Sequence, residues 1–219
     1  MFQEYVSLNY FYNIIYLVLH LIEWLNLLLM IVIAIVCTYY YVKSVQPAKL
    51  EQEIGEIAYE KCERYRLYAS VPFFLFFIPY IIYLYYPLPL PIPNELPWDY
   101  WISIVLAIVI AIPSFAIMGI GVRAAGVETY KPMKEHKMYG GIYNTIRHPQ
   151  SIGEVWLGVI IALIFNRTFL LLFSFIWFPI FYYMLIVEER DLIIRYGEAY
   201  VKYRNRVGMI FPKRKKKST

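Results

Sequence analysis

From Ser151 to Val187 the chain is predominantly apolar, broken by Asn166-Arg167. One helical crossing of a bilayer core of about 30 Å takes about 20 residues, so this run is too long for a single span. The polar dipeptide divides it into a helical hairpin. Three further runs, Phe11–Val42, Leu67–Tyr86 and Tyr100–Gly121, meet or approach the same length with few charges inside. In lipid, every backbone N–H and C=O must be satisfied within the chain, so such runs become helices. The expected fold is therefore all-α, a polytopic membrane bundle of five spans whose last two form the hairpin, followed by a cytoplasmic helical segment. Hydrophobic residues make up 60% of the 219, against roughly 45–50% in soluble domains, which agrees. A single membrane domain is expected over 1–219, with three spans in 1–121 and the remaining elements in 122–219. The start, MFQEYVSLNY, lacks the basic region of a cleavable signal peptide.

Basic residues set the expected orientation. Five lie in 43–66, none in 87–99, five in 121–150 and ten in 188–219, with Arg167 alone on the opposite side. By the positive-inside rule the N-terminus faces outward and the C-terminus the cytoplasm. The tail Lys213-Arg214-Lys215-Lys216-Lys217 raises the net charge to +5. Directly after a span, such a run points to anionic headgroups rather than nucleic acid. Cys37 falls in a span and Cys62 in a cytoplasmic loop, so a disulfide is not expected and no metal-ligand spacing exists.

Several segments admit more than one reading. His20, Glu23 and Asn26 share a helical face near the outer end of the first run, as an interfacial stripe or as a buried polar stripe. Residues 47–66 are amphipathic, with a Glu60–Arg64 pair at i, i+4, and suit a cytoplasmic helix or an extension of the spans they join. The proline-rich stretch 86–97 should be an extended connection. Gly119-Ile120-Gly121 suits close helix packing or a cofactor contact. Segment 122–147 is longer than an ordinary connection and carries His136, which suits a solvated surface.

The stretch IRHPQSIGE, 146–154, specifies a helix start. Pro149 suits a first turn, and Ser151 with Glu154 fits a capping box. The first N–H groups of such a helix favour negative charge, and Arg147 adds a cation beside them. Counting from Asn166-Arg167, His148 lies about 26 Å back and Glu188 about 31 Å forward at 1.5 Å per residue. Antiparallel packing then brings Arg147-His148 opposite Glu188-Glu189. An anion site facing carboxylates matches a zwitterion such as the amino-acid end of S-adenosylmethionine. Adjacent glutamates on a helix point about 100° apart, so one of the two would meet the ammonium while the other contacts Arg147, His148 or substrate.

GIYNTIRHPQSIGE followed by EERDLIIRYGEAYVKYRNRVGMIFP resembles the isoprenylcysteine carboxyl methyltransferase and phospholipid methyltransferase superfamily of integral membrane enzymes. The resemblance covers about 139–212. It implies a cytoplasmic S-adenosylmethionine pocket, capped by the C-terminal segment and open sideways to a lipophilic substrate, a prenylcysteine-like carboxylate or a lipid amine. Gly141, Tyr143, Arg147, His148 and Pro149 match the first element, Glu188 and Glu189 the acidic pair, and Tyr196, Gly197, Tyr200 and Tyr203 the cap. The resemblance implies cofactor contacts from Gly141, Tyr143, Arg147, His148, Pro149, Glu188, Tyr196 and Tyr200, with Arg147, Glu188 and Glu189 at the chemistry. Ser151 departs from the aromatic that relatives often carry two residues after the proline. A membrane sterol-type reductase using NADPH shares parts of this layout, and a non-enzymatic scaffold is the third alternative.

Overall fold

A computed structural model describes residues 2–134 and 140–213, with side chains at 17, 18 and from 20 onward. His136 and the tail beyond Lys213 lie outside the described residues. The described chain is helical: α1 Phe2–Ser44, α2 Pro47–Ile54, α3 Ile57–Leu75, α4 Phe77–Tyr85, α5 Tyr100–Ala125, α6 Pro149–Phe165, α7 Thr168–Ser174, α8 Trp177–Tyr196 and α9 Glu198–Arg206. Four stretches are long and apolar enough to cross a membrane: His20–Ser44, Ile57–Tyr85, Tyr100–Thr129 and Thr168–Tyr196. The fifth expected span, α6, is apolar but has 17 residues, about 26 Å of helix. Leu25, Leu28 and Ile35 on α1 and Trp101, Val109 and Ile112 on α5 are exposed. Such apolar surface on helices of this length suits lipid as solvent.

Several boundaries differ from expectation for local reasons. The second run is not one uniform helix: Pro72 lies inside α3, and Phe76 separates α3 from α4. The amphipathic segment 47–66 is divided by Gly55 at φ 71°, giving α2 and the first turns of α3. The arm after Asn166-Arg167 is α7 and then α8, separated at Phe175-Ile176. The C-terminal helical segment is likewise set off from the hairpin arm, because Gly197 takes φ 57° and turns the chain between α8 and α9. A left-handed φ at that corner suits glycine, which has no Cβ to clash.

Asn166 ends α6 in the left-handed conformation, and its buried amide oxygen accepts a hydrogen bond from Ser103 Oγ at 2.7 Å. Ser103 in turn accepts from Trp98 Nε1 at 2.8 Å, and Arg167 pairs with Glu95 at 3.3 Å. Polar residues that break the apolar run thus also fasten the turn to the start of α5 and to the non-helical 86–99 connection.

The largest buried cluster includes Met30, Tyr80, Leu170, Trp177, Phe181 and Met184, with Tyr80 Oη 3.0 Å from Ser174 Oγ. Close approach elsewhere depends on missing side chains. A Cβ on Gly121 would sit 2.8 Å from Pro149 Cγ, and one on Gly153 2.7 Å from Met118, so α5 and α6 meet where α6 begins. A Cβ on Gly119 would meet nothing within 4 Å. The polar stripe of α1 splits: Asn26 is buried and donates to the Pro79 carbonyl at 2.9 Å, while part-exposed His20 lies 2.9 Å from Glu23.

Candidate active site

His148 precedes α6 in a non-helical conformation and Pro149 supplies its first residue, as the sequence suggests. The expected capping box does not form: no side chain caps α6, and Ser151 and Glu154 instead line a cavity. The entry is held from outside the helix. Arg147 N donates to the Gly208 carbonyl at 2.9 Å and His148 N to Met209 at 3.1 Å, a strap that fixes the chain just before the helix begins.

Arg147 does not present a free cation. Its Nε and Nη2 lie 2.7 and 2.6 Å from Glu189 Oε1, and Nη1 donates to the carbonyls of Arg204 and Val207. Both side chains are buried, at 6% and 7% exposure, so the pair is fully desolvated. His148 Nε2 lies 3.1 Å from the same Glu189 oxygen, and an ionised carboxylate only accepts, so that nitrogen carries a proton. His148 Nδ1 is 3.6 Å from Glu188 Oε2. The two adjacent glutamates therefore divide: Glu189 lies in the buried ion pair, and Glu188 lines the cavity.

That cavity has a volume of about 440 Å³. Its polar end includes Glu188, Arg147, His148, Tyr196, Tyr200 and Tyr203, and its apolar wall includes Phe73, Phe181 and Met184. Leu67 and Phe74, exposed at 62% and 68%, also line it and carry the wall to the outer face of α3. Ligand sites typically occupy about 300–1,000 Å³ and combine apolar walls with few polar groups. Tyr143 also lines the cavity; its Oη donates to the Gly121 carbonyl at 3.3 Å and accepts from Gln150 at 2.9 Å. Tyr203 Oη donates to the Tyr143 carbonyl at 2.6 Å. The Tyr200 hydroxyl is buried and, among the described residues, has no hydrogen-bond partner. Burial pushes the Tyr143 and Tyr203 phenols up to about 12 and the Tyr200 phenol higher still, so all three stay neutral near pH 7.

Of the anticipated site residues, Gly141 is exposed in a 3-10 turn at φ 57° and Pro149 packs against Gly121, and neither lines the cavity. Sequence reasoning missed the buried Glu128–Arg195 pair at 2.8 Å, beside which Arg66 donates to the Glu128 carbonyl. It also missed Asp191, which accepts from the Ala48 and Lys49 amides at 3.1 and 2.8 Å and so caps α2 across the fold. Asp191 was legible only as part of a charged edge, because its partners are backbone amides over 140 residues away.

Helices fit for lipid around a cavity lined by both polar and apolar side chains mark a membrane protein with a candidate internal site. Residues 100–199 match the phospholipid methyltransferase family. The protein-S-isoprenylcysteine O-methyltransferase of Saccharomyces cerevisiae is 31% identical over 87 residues, 39% of this chain and 36% of that protein. The match thus spans about a third of that relative's length. No solved structure matches. Through this C-terminal portion the chain is similar to the isoprenylcysteine and phospholipid methyltransferases.

Proposed function

We propose that this protein is an integral membrane methyltransferase that moves a methyl group from S-adenosylmethionine to a lipophilic acceptor, a prenylcysteine-like carboxylate or a lipid-headgroup amine. The observation that carries this reading is the cavity itself, in which Glu188 faces a polar end continuous with an apolar wall reaching the outer surface of α3. The family supplies the reaction class, and the site fits its donor chemically. Glu188 offers a carboxylate to an ammonium, and the unpartnered Tyr200 hydroxyl offers a donor to a polar ligand atom.

When bound, S-adenosylmethionine supplies an electrophilic methyl on a sulfonium. The chain's part is to position and to exclude water. Glu188 binds the amino-acid end, with His148 beside it. Arg147 and Glu189 act as positioning residues, since their charges are satisfied by each other and Arg147 also donates to the Arg204 and Val207 carbonyls. Tyr196, Tyr200 and Tyr203 close the polar end, and Tyr143 with Gln150 braces the loop beneath them. Gly141 and Pro149 shape that loop and the α6 start rather than touching the ligand. An amine acceptor would require a base, whereas a carboxylate would not.

In this reading α6 crosses the membrane with α7–α8, the N-terminus faces outward, and the site and basic tail face cytoplasmic anionic headgroups. Retention of the detergent-solubilised protein on an S-adenosylhomocysteine resin, competed by S-adenosylmethionine and not by NADPH, is the expected result. Competition by NADPH instead, or no retention, overturns the assignment.

A further inference from the structure

Helix α1 has a second concave surface, apart from the cavity. Cys37 and Tyr41 line the cavity, whereas Ile31, Ile35, Tyr39 and Lys43, four residues apart and so stacked in one ridge, border a separate groove of about 460 Å³. Its opposite bank includes Phe173 of α7 with Ile180 and Tyr183 of α8, and its floor includes Ala34 and Thr38. The Thr38 hydroxyl donates to the Ala34 carbonyl at 2.6 Å, so its proton is used within the helix. Ile35, Tyr39 and Tyr183 are exposed, and the groove opens outward from spans whose surroundings are lipid. No residue of the groove lines the cavity.

The groove changes character along its length. Its ridge passes from two isoleucines through a tyrosine to a lysine, and Ile31 to Lys43 covers about 18 Å at 1.5 Å per residue. Half of a bilayer core of about 30 Å is about 15 Å, so the apolar length matches one leaflet and Lys43 stands at headgroup level. Lys43 lies in the last turn of α1, just before the helix that Asp191 caps, and therefore on the same side of the bundle as Glu188 and Glu189. It is exposed, with its ammonium 5.8 Å from the centre of the Tyr39 ring, and among the described residues no carboxylate pairs with it. On the facing helix Arg190 follows Tyr183 by seven residues, nearly the same angular position, and is likewise exposed and without a carboxylate partner among the described residues.

We propose that this groove binds one anionic phospholipid of that leaflet, with an acyl chain between α1 and α7–α8 and the phosphate held by Lys43 and Arg190. Tyr39 and Tyr183 then stand where interfacial tyrosines are favoured, between chain and headgroup. A zwitterionic lipid would bring its own ammonium towards the two cations, which weakens it. A second copy of the chain on this face would bury the same uncompensated cations in a seam, which is costly. The bound lipid braces α1 against α8, so occupancy raises the melting midpoint. The site does not depend on the methyl-transfer reading.

The test is native mass spectrometry of the full chain in a maltoside detergent, titrated with phosphatidylglycerol or phosphatidylcholine of identical chains. One phosphatidylglycerol per chain is expected, held at least about tenfold more tightly than phosphatidylcholine. Lys43→Gln should lower that preference about fivefold, the contribution of one cation at a headgroup surface. Ile35→Trp, which fills the groove, should abolish the site, whereas Ile112→Trp on the exposed face of α5 should leave it intact. Circular dichroism melts of the lipid-free proteins report folding, and the wild-type comparison with Lys43→Gln decides even if Ile35→Trp does not fold. Equal affinity for the two lipids, a preference unchanged in Lys43→Gln, or a site that survives in folded Ile35→Trp overturns the proposal. So do chain dimers that Ile35→Trp dissociates, since they would make the groove a seam between copies.

Discussion

Replacing Glu189 by Gln should destabilise the protein far more than the same change at Glu188, although the two residues are neighbours. Glu189 is 7% exposed and its Oε1 receives Arg147 Nε at 2.7 Å, Arg147 Nη2 at 2.6 Å and His148 Nε2 at 3.1 Å. The glutamine keeps the shape but removes the charge, leaving a buried guanidinium against neutral oxygens alone. Breaking a buried ion pair from one side costs about 3–5 kcal/mol. At about 2–4 °C per kcal/mol for a chain of this size, the midpoint should fall by roughly 6–20 °C. Glu188 is 28% exposed and its nearest cation is 3.6 Å away. A pair of that kind contributes about 0.2–1 kcal/mol, so Glu188→Gln should stay within about 4 °C of wild type. Thermal unfolding in detergent, followed by circular dichroism, measures both. Because the cost arises from an orphaned charge, Arg147→Met combined with Glu189→Leu should recover at least about 2 kcal/mol relative to the summed single variants. A Glu189→Gln midpoint within about 2 °C of wild type, or a larger loss at Glu188, would refute the division between buried framework and cavity wall.

Binding should show the complementary pattern. Glu188→Gln and His148→Ala are each expected to weaken S-adenosylhomocysteine at least tenfold, about 1.4 kcal/mol, and calorimetry showing unchanged affinity in both would remove the proposed ammonium site. Gly121→Ala should cost about 1–3 kcal/mol, because its Cβ would stand 2.8 Å from Pro149. Gly119→Ala, with nothing within 4 Å, should cost nothing or stabilise slightly, and melting midpoints of the two decide. Tyr203→Phe loses a buried bond to the Tyr143 carbonyl and should destabilise by about 1–2 kcal/mol. Tyr200→Phe removes an unpartnered hydroxyl, so ligand-free stability should hold or rise while ligand affinity falls, as paired melts with and without S-adenosylhomocysteine would record.

Hydrophobic runs are legible because bilayer thickness imposes a length on them, and α1, α5 and the divided α7–α8 arm fall where those runs lie. Breaks within the runs were harder to read. Pro72 is accommodated inside α3, whereas Phe76, an apolar residue with no breaking tendency of its own, separates α3 from α4. The meeting of 147–148 with 188–189 was legible through helix length, a ruler that needs no side-chain detail. Glu154 was misread because S-x-x-E is a local pattern, and local patterns are silent about a strap sixty residues away that holds the same helix start. A carboxylate inside an apolar run carried the available signal: in a membrane segment, an ionisable residue with a ready structural explanation is still a candidate for function.

Arg147 explains why the site and the C-terminal segment should behave as one unit. Its guanidinium is buried only because three elements converge on it: Glu189 from α8, the Arg204 carbonyl from α9, and the Val207 carbonyl from the strap that also pairs with the Arg147 and His148 amides. Detach α9 and the strap, and those two amides, the Arg147 Nη1 donor and the Tyr203 contact to Tyr143 lose their partners together. Each orphaned buried group costs about 1–3 kcal/mol, so partial detachment gains little freedom for several such losses. The segment is therefore held either fully docked or released as a whole. In the docked state Tyr200 and Tyr203 complete the cavity wall, on which Glu188 also stands. The charge that stabilises the fold and the charge left for a ligand are thus set apart by a single backbone step between Glu188 and Glu189.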